Sequence, residues 1–134
     1  MNNNLSEELI IEFKNKVNWK YISEYQKLSE YFIREFKDKV HWNAISCQKL
    51  SEDFTREFQD KLNWCLISIY QTLSENFIRE FKDKVYWSYI SESQKLSEDF
   101  IREFKDKVDW YFISKYQTLS ESFKEEFKEE LRTL

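Results

Sequence analysis

LSEDFIREFKDKVDWYFISKYQT, residues 96–118, is one rendering of a phrase that runs through the whole chain. The triplet LSE begins at Leu5, Leu28, Leu50, Leu73, Leu96 and Leu119, and Trp19, Trp42, Trp64, Trp87 and Trp110 follow in step. The spacing is 23 residues, apart from a single step of 22. A fixed period of this size marks a repeat array, whose units bury their apolar faces against one another. Counted from its Leu, a repeat reads L-S-E-x-F-I-R-E-F-K-D-K-V-x-W-x-x-I-S-x-Y-Q-x. Leucine-rich repeats share this length, but their strand-forming L-x-L signature is absent.

Each repeat carries two helix starts. Ser at position 2 is a good N-cap, and acidic residues suited to the positive end of a helix follow it. Leu at position 1 and Ile at position 6 stand at hydrophobic-staple spacing, as in Leu28 with Ile33 and Leu96 with Ile101. Position 14 is Asn18, Asn63 and Asp109 in three repeats, again N-cap residues, with Val17 and Ile22 or Val108 and Ile113 as a second staple. The pattern predicts an α-hairpin, with helix A over positions 3–12 and helix B over about 15–21. Phe at positions 5 and 9 and Val at 13 form one apolar stripe on helix A. Its other face carries Glu80 four residues before Lys84 and Glu103 before Lys107. Such ion pairs contribute only about 0.2–0.5 kcal/mol each. Helices this short are marginal alone, so stacking of the stripes must hold them.

The expected fold is therefore an all-α solenoid of about five hairpins, in one repeat domain over 1–134, closed by a capping helix from Leu119. The end repeats differ, as caps should: Lys124 stands where Ile is usual, no Trp follows it, and Ile11 replaces the Arg of later repeats. The array reads as complete. The second repeat has WNAISCQKL where its neighbours have WKYISEYQKL and WCLISIYQTL, one residue fewer near Cys47. Leu50 and Ser51 restart in phase, so a shortened helix B or tighter turn should absorb the loss, with a local change of superhelical curvature after it.

Composition narrows the function. A chain without Gly or Pro lacks the usual sources of tight β-turns, which argues against an all-β fold. A net charge of −4 argues against nucleic acid or an anionic membrane surface as partner. No apolar run approaches the roughly 18 residues of a membrane span, and MNNNLSEEL has no signal-peptide core. Two Cys make no disulfide framework, so a reducing, cytoplasmic setting is expected.

The phrase LSEDFIREFKDKVDW…IS.YQ.LSE resembles the short α-hairpin tandem repeats of proteins from large DNA viruses that infect protists, over nearly the whole chain. The resemblance implies an α-solenoid, and a viral protein at work in the host cytoplasm. It carries no activity onto particular residues.

Candidate chemistry is sparse. His41 occupies position 14, where other repeats have Asn, Asp or Tyr, and reads as a substitute cap or exposed turn residue. His41, Cys47 and Cys65 match no usual metal-ligand spacing. The paired carboxylates lie on a solvated face, where no pocket would raise a pKa. No enzyme, no cofactor and no metal is expected. Trp at position 15 could stack on nucleic-acid bases, but its place beside Val and Ile marks it as core. Ser at position 19 reads as a small residue admitting close helix contact, and Gln at position 22 as a tie for backbone groups at the end of helix B.

Variation points elsewhere. Position 16 is Lys20, Asn43, Cys65, Ser88 and Tyr111, and position 20 is Glu24, Ile69, Glu92 and Lys115. The two positions are four apart on helix B and share a face. The expected partner-binding face is Lys20, Asn43, Cys65, Ile69, Ser88, Tyr111 and Lys115, and the expected partner an unidentified protein. Position 17, with Tyr21, Ala44, Leu66, Tyr89 and Phe112, reads as partly buried. The leading function is a protein-binding scaffold. The alternative is a structural protein that self-associates as a homo-oligomer, for which exposed aromatics such as Tyr31 and Tyr111 would also serve.

Overall fold

The computed structural model describes residues 5–132. Residues 1–4 and 133–134, the ends of the expected 1–134 domain, lie outside the described residues. The described part has helices and no strand. In chain order these are α1 (Glu7–Glu12), α2 (Trp19–Tyr25), α3 (Glu30–Glu35), α4 (Trp42–Ile45), α5 (Glu52–Glu57) and α6 (Trp64–Tyr70). Then come α7 (Glu75–Glu80), α8 (Trp87–Ser93), α9 (Glu98–Glu103), α10 (Trp110–Tyr116), α11 (Glu121–Glu126) and α12 (Lys128–Arg132). The fold is the all-α solenoid class that the period predicts. Its contacts divide into two compact bodies, residues 1–63 and 64–134, with the boundary inside the third repeat.

Helix A starts as its Ser predicts. Ser29 Oγ accepts the Phe32 N–H at 3.1 Å, and Ser51, Ser74 and Ser97 do the same for the Phe three residues on. It ends sooner than expected, after position 8 rather than 12. The backbone leaves α geometry at the Phe of position 9, as at Phe36 with φ −110° and ψ 31°. The Phe36 carbonyl then accepts from both Lys39 (2.9 Å) and Val40 (3.1 Å), closing a separate tight turn. In a continued helix the Lys37 carbonyl would accept the N–H of His41. Instead Lys37 takes the indole N–H of Trp42 at 3.0 Å, and His41 N–H donates to Ser23 Oγ of the preceding repeat at 3.0 Å. Both groups freed by the break are satisfied, which is what permits it.

The break also reassigns the charges. Glu103 is not paired with Lys107 four residues on, because the helix stops between them. It takes the Arg79 guanidinium of the preceding repeat through two bonds of 2.7 and 2.8 Å. Arg34 with Glu57 and Arg102 with Glu126 repeat the arrangement.

Helix B spans positions 15–21, as read. In the second repeat α4 is cut to four residues, and Cys47 and Gln48 close it with i→i−3 bonds to Ala44 and Ile45. The missing residue is thus absorbed by a shortened helix, as expected. The C-terminal cap is two helices rather than one: α11 takes a helix A place and α12 packs on α10.

Four joints link successive repeats within each body. First, every Trp ring lies on the Phe pair of the next repeat; Trp87 is 6.2 Å from Phe100 and 4.9 Å from Phe104, centroid to centroid. The rings are only half-buried, so Trp is a wedge at the edge of the core rather than its centre. Second, the Ser at position 19 is more than small. Ser91 Oγ donates to Trp87 O at 2.7 Å and accepts Asp109 N–H from the next repeat at 2.9 Å. Third, the Gln at position 22 ties the end of the preceding helix B. Gln94 Nε2 donates to Ser68 O (3.1 Å) and Gln71 O (2.6 Å), while its Oε1 accepts Leu73 N–H at 3.0 Å. Fourth, the Glu at position 3 caps the next repeat: Glu75 accepts both the N–H and the hydroxyl of Ser97, at 2.6 and 2.9 Å. The core between these joints is Ile and Phe, with Ile78, Ile90 and Phe77 fully buried.

The joints make two testable demands. Gln94→Ala leaves two carbonyls and one N–H without their side-chain partner in a buried place, and should lower unfolding stability by about 2–4 kcal/mol in a urea titration. A loss below half of that would remove the clamp from the account. The second concerns acid. The Arg34 and Arg79 guanidinium groups hold the Glu57 and Glu103 carboxyls below their ordinary range, and the Ser120 N–H does so for Glu98. A carboxylate with a depressed folded pKa stabilises above its unfolded value and loses that contribution as pH falls through the folded one. The melting temperature should therefore drop as pH falls below 4.5, the ordinary value for Glu, and a Glu57→Gln, Glu103→Gln protein should drop less. Identical slopes would show that these pairs contribute nothing.

Candidate functional site

Ile at position 18 fixes how helix B sits. Ile22, Ile45, Ile67, Ile90 and Ile113 are all buried, at 0–2% exposure, and the Ser that follows each is buried beside it in the first four repeats. Positions 16 and 20 are then left on the outer side of helix B.

In the N-terminal body Lys20 and Asn43 are exposed. Asn43 Oδ1 accepts from Asn63 Nδ2 at 3.2 Å, so position 16 meets position 14 of the next repeat. In the C-terminal body Ser88 makes the same link, donating to Asp109 Oδ2 at 3.2 Å. Asn43 and Ser88 are therefore partly engaged by the scaffold. Cys65 and Ile69 are half-buried, and Cys65 is a free thiol, as is the exposed Cys47. Tyr111 and Lys115 are exposed and touch: the Lys115 ammonium lies 5.7 Å from the Tyr111 ring centre and 5.4 Å from that of Tyr116. The two phenols raise the Lys115 pKa above the usual lysine range. Phe112 joins this group, 5.3 Å from Tyr111 edge-on and 6.0 Å from Tyr116. Position 17 is half-buried in Ala44, Leu66, Tyr89 and Phe112, as its apolar character suggested, though Tyr21 is exposed.

Sequence reasoning missed part of this surface. Tyr25, Tyr70 and Tyr116 at position 21 are 65%, 60% and 49% exposed, and Tyr86 at position 14 is 52% exposed. Position 21 keeps Tyr in three repeats, and the signal that it varies is Ser93, which stands there in the fourth repeat. In the C-terminal body this surface sets the rigid Tyr70, Tyr86, Tyr111 and Tyr116 on the same chain segment as Cys65, Ser88 and Lys115. Tyr side chains give large contact area at low entropic cost, and short polar neighbours adapt their hydrogen bonds around them.

His41 is an exposed N-cap without a side-chain cap bond. Among the described residues no group of three His, Cys, Asp or Glu is placed to hold a metal ion. The shifted carboxyls Glu57, Glu98 and Glu103 move towards ionisation, opposite to what a general acid needs. Two shallow grooves lie beside the helix B ends. One, of about 260 Å³, is bordered by Tyr25, Lys27 and Lys49, the other, of about 370 Å³, by Glu92, Lys95 and Tyr116. Neither includes a residue of the expected binding face. Among the described residues no helix is long and apolar enough to cross a membrane.

No protein-family model, no curated protein and no solved structure matches the chain.

Proposed function

We propose that this chain is a non-catalytic repeat scaffold that binds another protein through the outer side of helix B. The observation that carries the reading is a set of exposed or half-buried apolar and aromatic side chains that none of the four joints between repeats uses. Cys65, Ile69, Tyr111 and Lys115 are its centre, and the exposed Tyr70, Tyr86 and Tyr116 extend it. Drift on a solvated face would leave polar residues there. Aromatic anchors are what protein interfaces favour over plain surface. The partner is a protein rather than a nucleic acid, because the net charge is −4 and the aromatics are not set in a basic groove. A reducing cytoplasmic setting suits two thiols left unpaired. Host cytoplasm is the specific location if the viral resemblance holds.

Two neighbouring isoleucines test it. Ile67 is fully buried, so Ile67→Glu should unfold the protein, since a buried unpaired charge is costly. Ile69 is half-buried at a variable position, and Ile69→Glu should leave the melting temperature within a few degrees. In affinity capture from native host extract, Ile69→Glu and Tyr111→Ala should each lose a partner that the unaltered chain retains. Equal unfolding by both isoleucine variants, or capture unchanged by either surface variant, overturns the reading.

A further inference from the structure

Three arginines at position 7 are held alike. Arg102 donates to Asp99 of its own helix at 2.8 Å and to Glu126 of the next repeat at 2.9 Å, and its guanidinium carbon lies 5.2 Å from the Phe123 ring centre. Arg79 has Asn76, Glu103 and Phe100 around it, and Arg34 has Glu57 and Phe54. Position 4 of one repeat and positions 5 and 8 of the next thus build a seat for a guanidinium. The first two repeats build it too. They are joined like the others: Trp19 lies 6.1 Å from Phe32, and Glu7 accepts Ser29 N–H at 2.6 Å. Glu8, Phe32 and Glu35 hold positions 4, 5 and 8, but Ile11 stands where the next four repeats have Arg. Ile11 is 45% exposed, and the exposed carboxylates of Glu8 and Glu35 make no ion pair among the described residues. The cation of each seat comes from the earlier repeat's own helix. Residue 11 therefore decides this difference, not the point at which the chain begins.

We infer that Glu35, with Glu8, seats an arginine of a partner protein, whose guanidinium takes the place on Glu35 that Arg34 takes on Glu57. Arginine's planar fork meets a carboxylate through two bonds, as Arg34 and Arg79 do, and a lysine ammonium cannot reproduce that. The methylene stem can lie along the exposed side of Ile11. The surrounding charge has the right sign, since the exposed Glu12 adds a third carboxylate against one cation, Lys14. Lys14 does not replace the guanidinium: its counterparts Lys37 and Lys82 act on Glu57 and Glu103 alongside the bound arginines. A second copy of this chain is the poorer occupant. Arg34, Arg56, Arg79 and Arg102 are engaged within the chain, and Arg132 lies 3.8 Å from Glu129. One exposed pair of this kind is weak, so the arginine is an anchor within a wider contact rather than the whole of it.

This seat shares no residue with the helix B face and does not rest on it. NMR of the glutamate side-chain carboxyl carbons in the 134-residue chain tests it, with N-acetyl-arginine amide as the probe and N-acetyl-lysine amide as a cation of equal charge. The Glu35 resonance, identified by its loss in Glu35→Gln, should shift to saturation with a half-point of about 10–100 mM for the arginine probe. The half-point for the lysine probe should be at least threefold higher. Ile11→Arg should keep the helical circular dichroism, move the Glu35 resonance before any probe is added, and abolish the response by supplying the guanidinium from within. A response that does not saturate, equal half-points for the two probes, or a Glu35 resonance unmoved by Ile11→Arg overturns the inference. So does a Glu35 shift that follows protein concentration alone, which would make a second copy's Arg132 the occupant. The capture experiment on Ile69→Glu stands or falls separately.

Discussion

The tryptophan of position 15 is the constraint on which the repeat depends. In four repeats the indole N–H, as in Trp87, closes its own repeat's turn on a lysine carbonyl, and the ring covers the Phe pair of the next repeat. One side chain therefore does two things that the backbone alone cannot. It lets helix A end after six residues without stranding a carbonyl, and it couples that ending to the neighbour's core. Aromatic contacts of this kind contribute about 0.5–1.5 kcal/mol beyond the area they bury. Helices of four to seven residues lie well below the length at which a helix stands alone. Their stability has to come from the neighbours.

Short helices bring a second difficulty. The shorter the helix, the larger the share of its N–H and C=O groups left at the ends. Glycine usually resolves C-termini by taking a left-handed conformation, and this chain has none; no described residue has a positive φ. The chain instead assigns the ends to side chains of adjacent repeats. Gln94 and Gln117 hold the carbonyls at the close of the preceding helix B, Ser68 and Ser91 take the N–H before the next one, and Glu75 and Glu98 cap the next Ser. Ser114 shows the rule by exception. Among the described residues no Trp-led helix follows it, and it is exposed, with its hydroxyl turned back to Tyr111 O at 2.8 Å.

This division explains what the sequence disclosed. Period, Ser caps and the bounds of helix B are local patterns, and all were legible. So was the fate of the residue missing near Cys47. The end of helix A was not, because Phe, Phe and Val at four-residue spacing read the same whether the helix continues or a turn intervenes. What decides is the Trp five residues beyond Lys37 and the Ser of the repeat before, both outside the pattern. The Glu103–Lys107 pairing failed for the same reason. Constancy marked the helix B serines, such as Ser91, and the glutamines that follow, such as Gln94, as structural, but could not name partners some twenty residues away. Position 21 shows that a repeat can retain a residue that its core does not bury, since Tyr25 and Tyr70 are exposed.

The second repeat shows which of these demands is the stronger. In its neighbours two residues separate the Ser of helix B from the Gln that follows, and here Cys47 alone does so. A helix B of full length would carry Gln48 out of reach. The chain instead ends α4 at Ile45 and tightens Ser46–Gln48 into a turn, and Gln48 Nε2 still reaches Ser23 O at 2.8 Å and Gln26 O at 3.0 Å. Ser46 still accepts the N–H of Asn63 at 2.9 Å. Helix length and one outward position were given up, and both joints were kept. Outer helix B positions are thus the part of the repeat that can change without cost to the array, which is the physical condition for a surface whose residues are set by something other than folding.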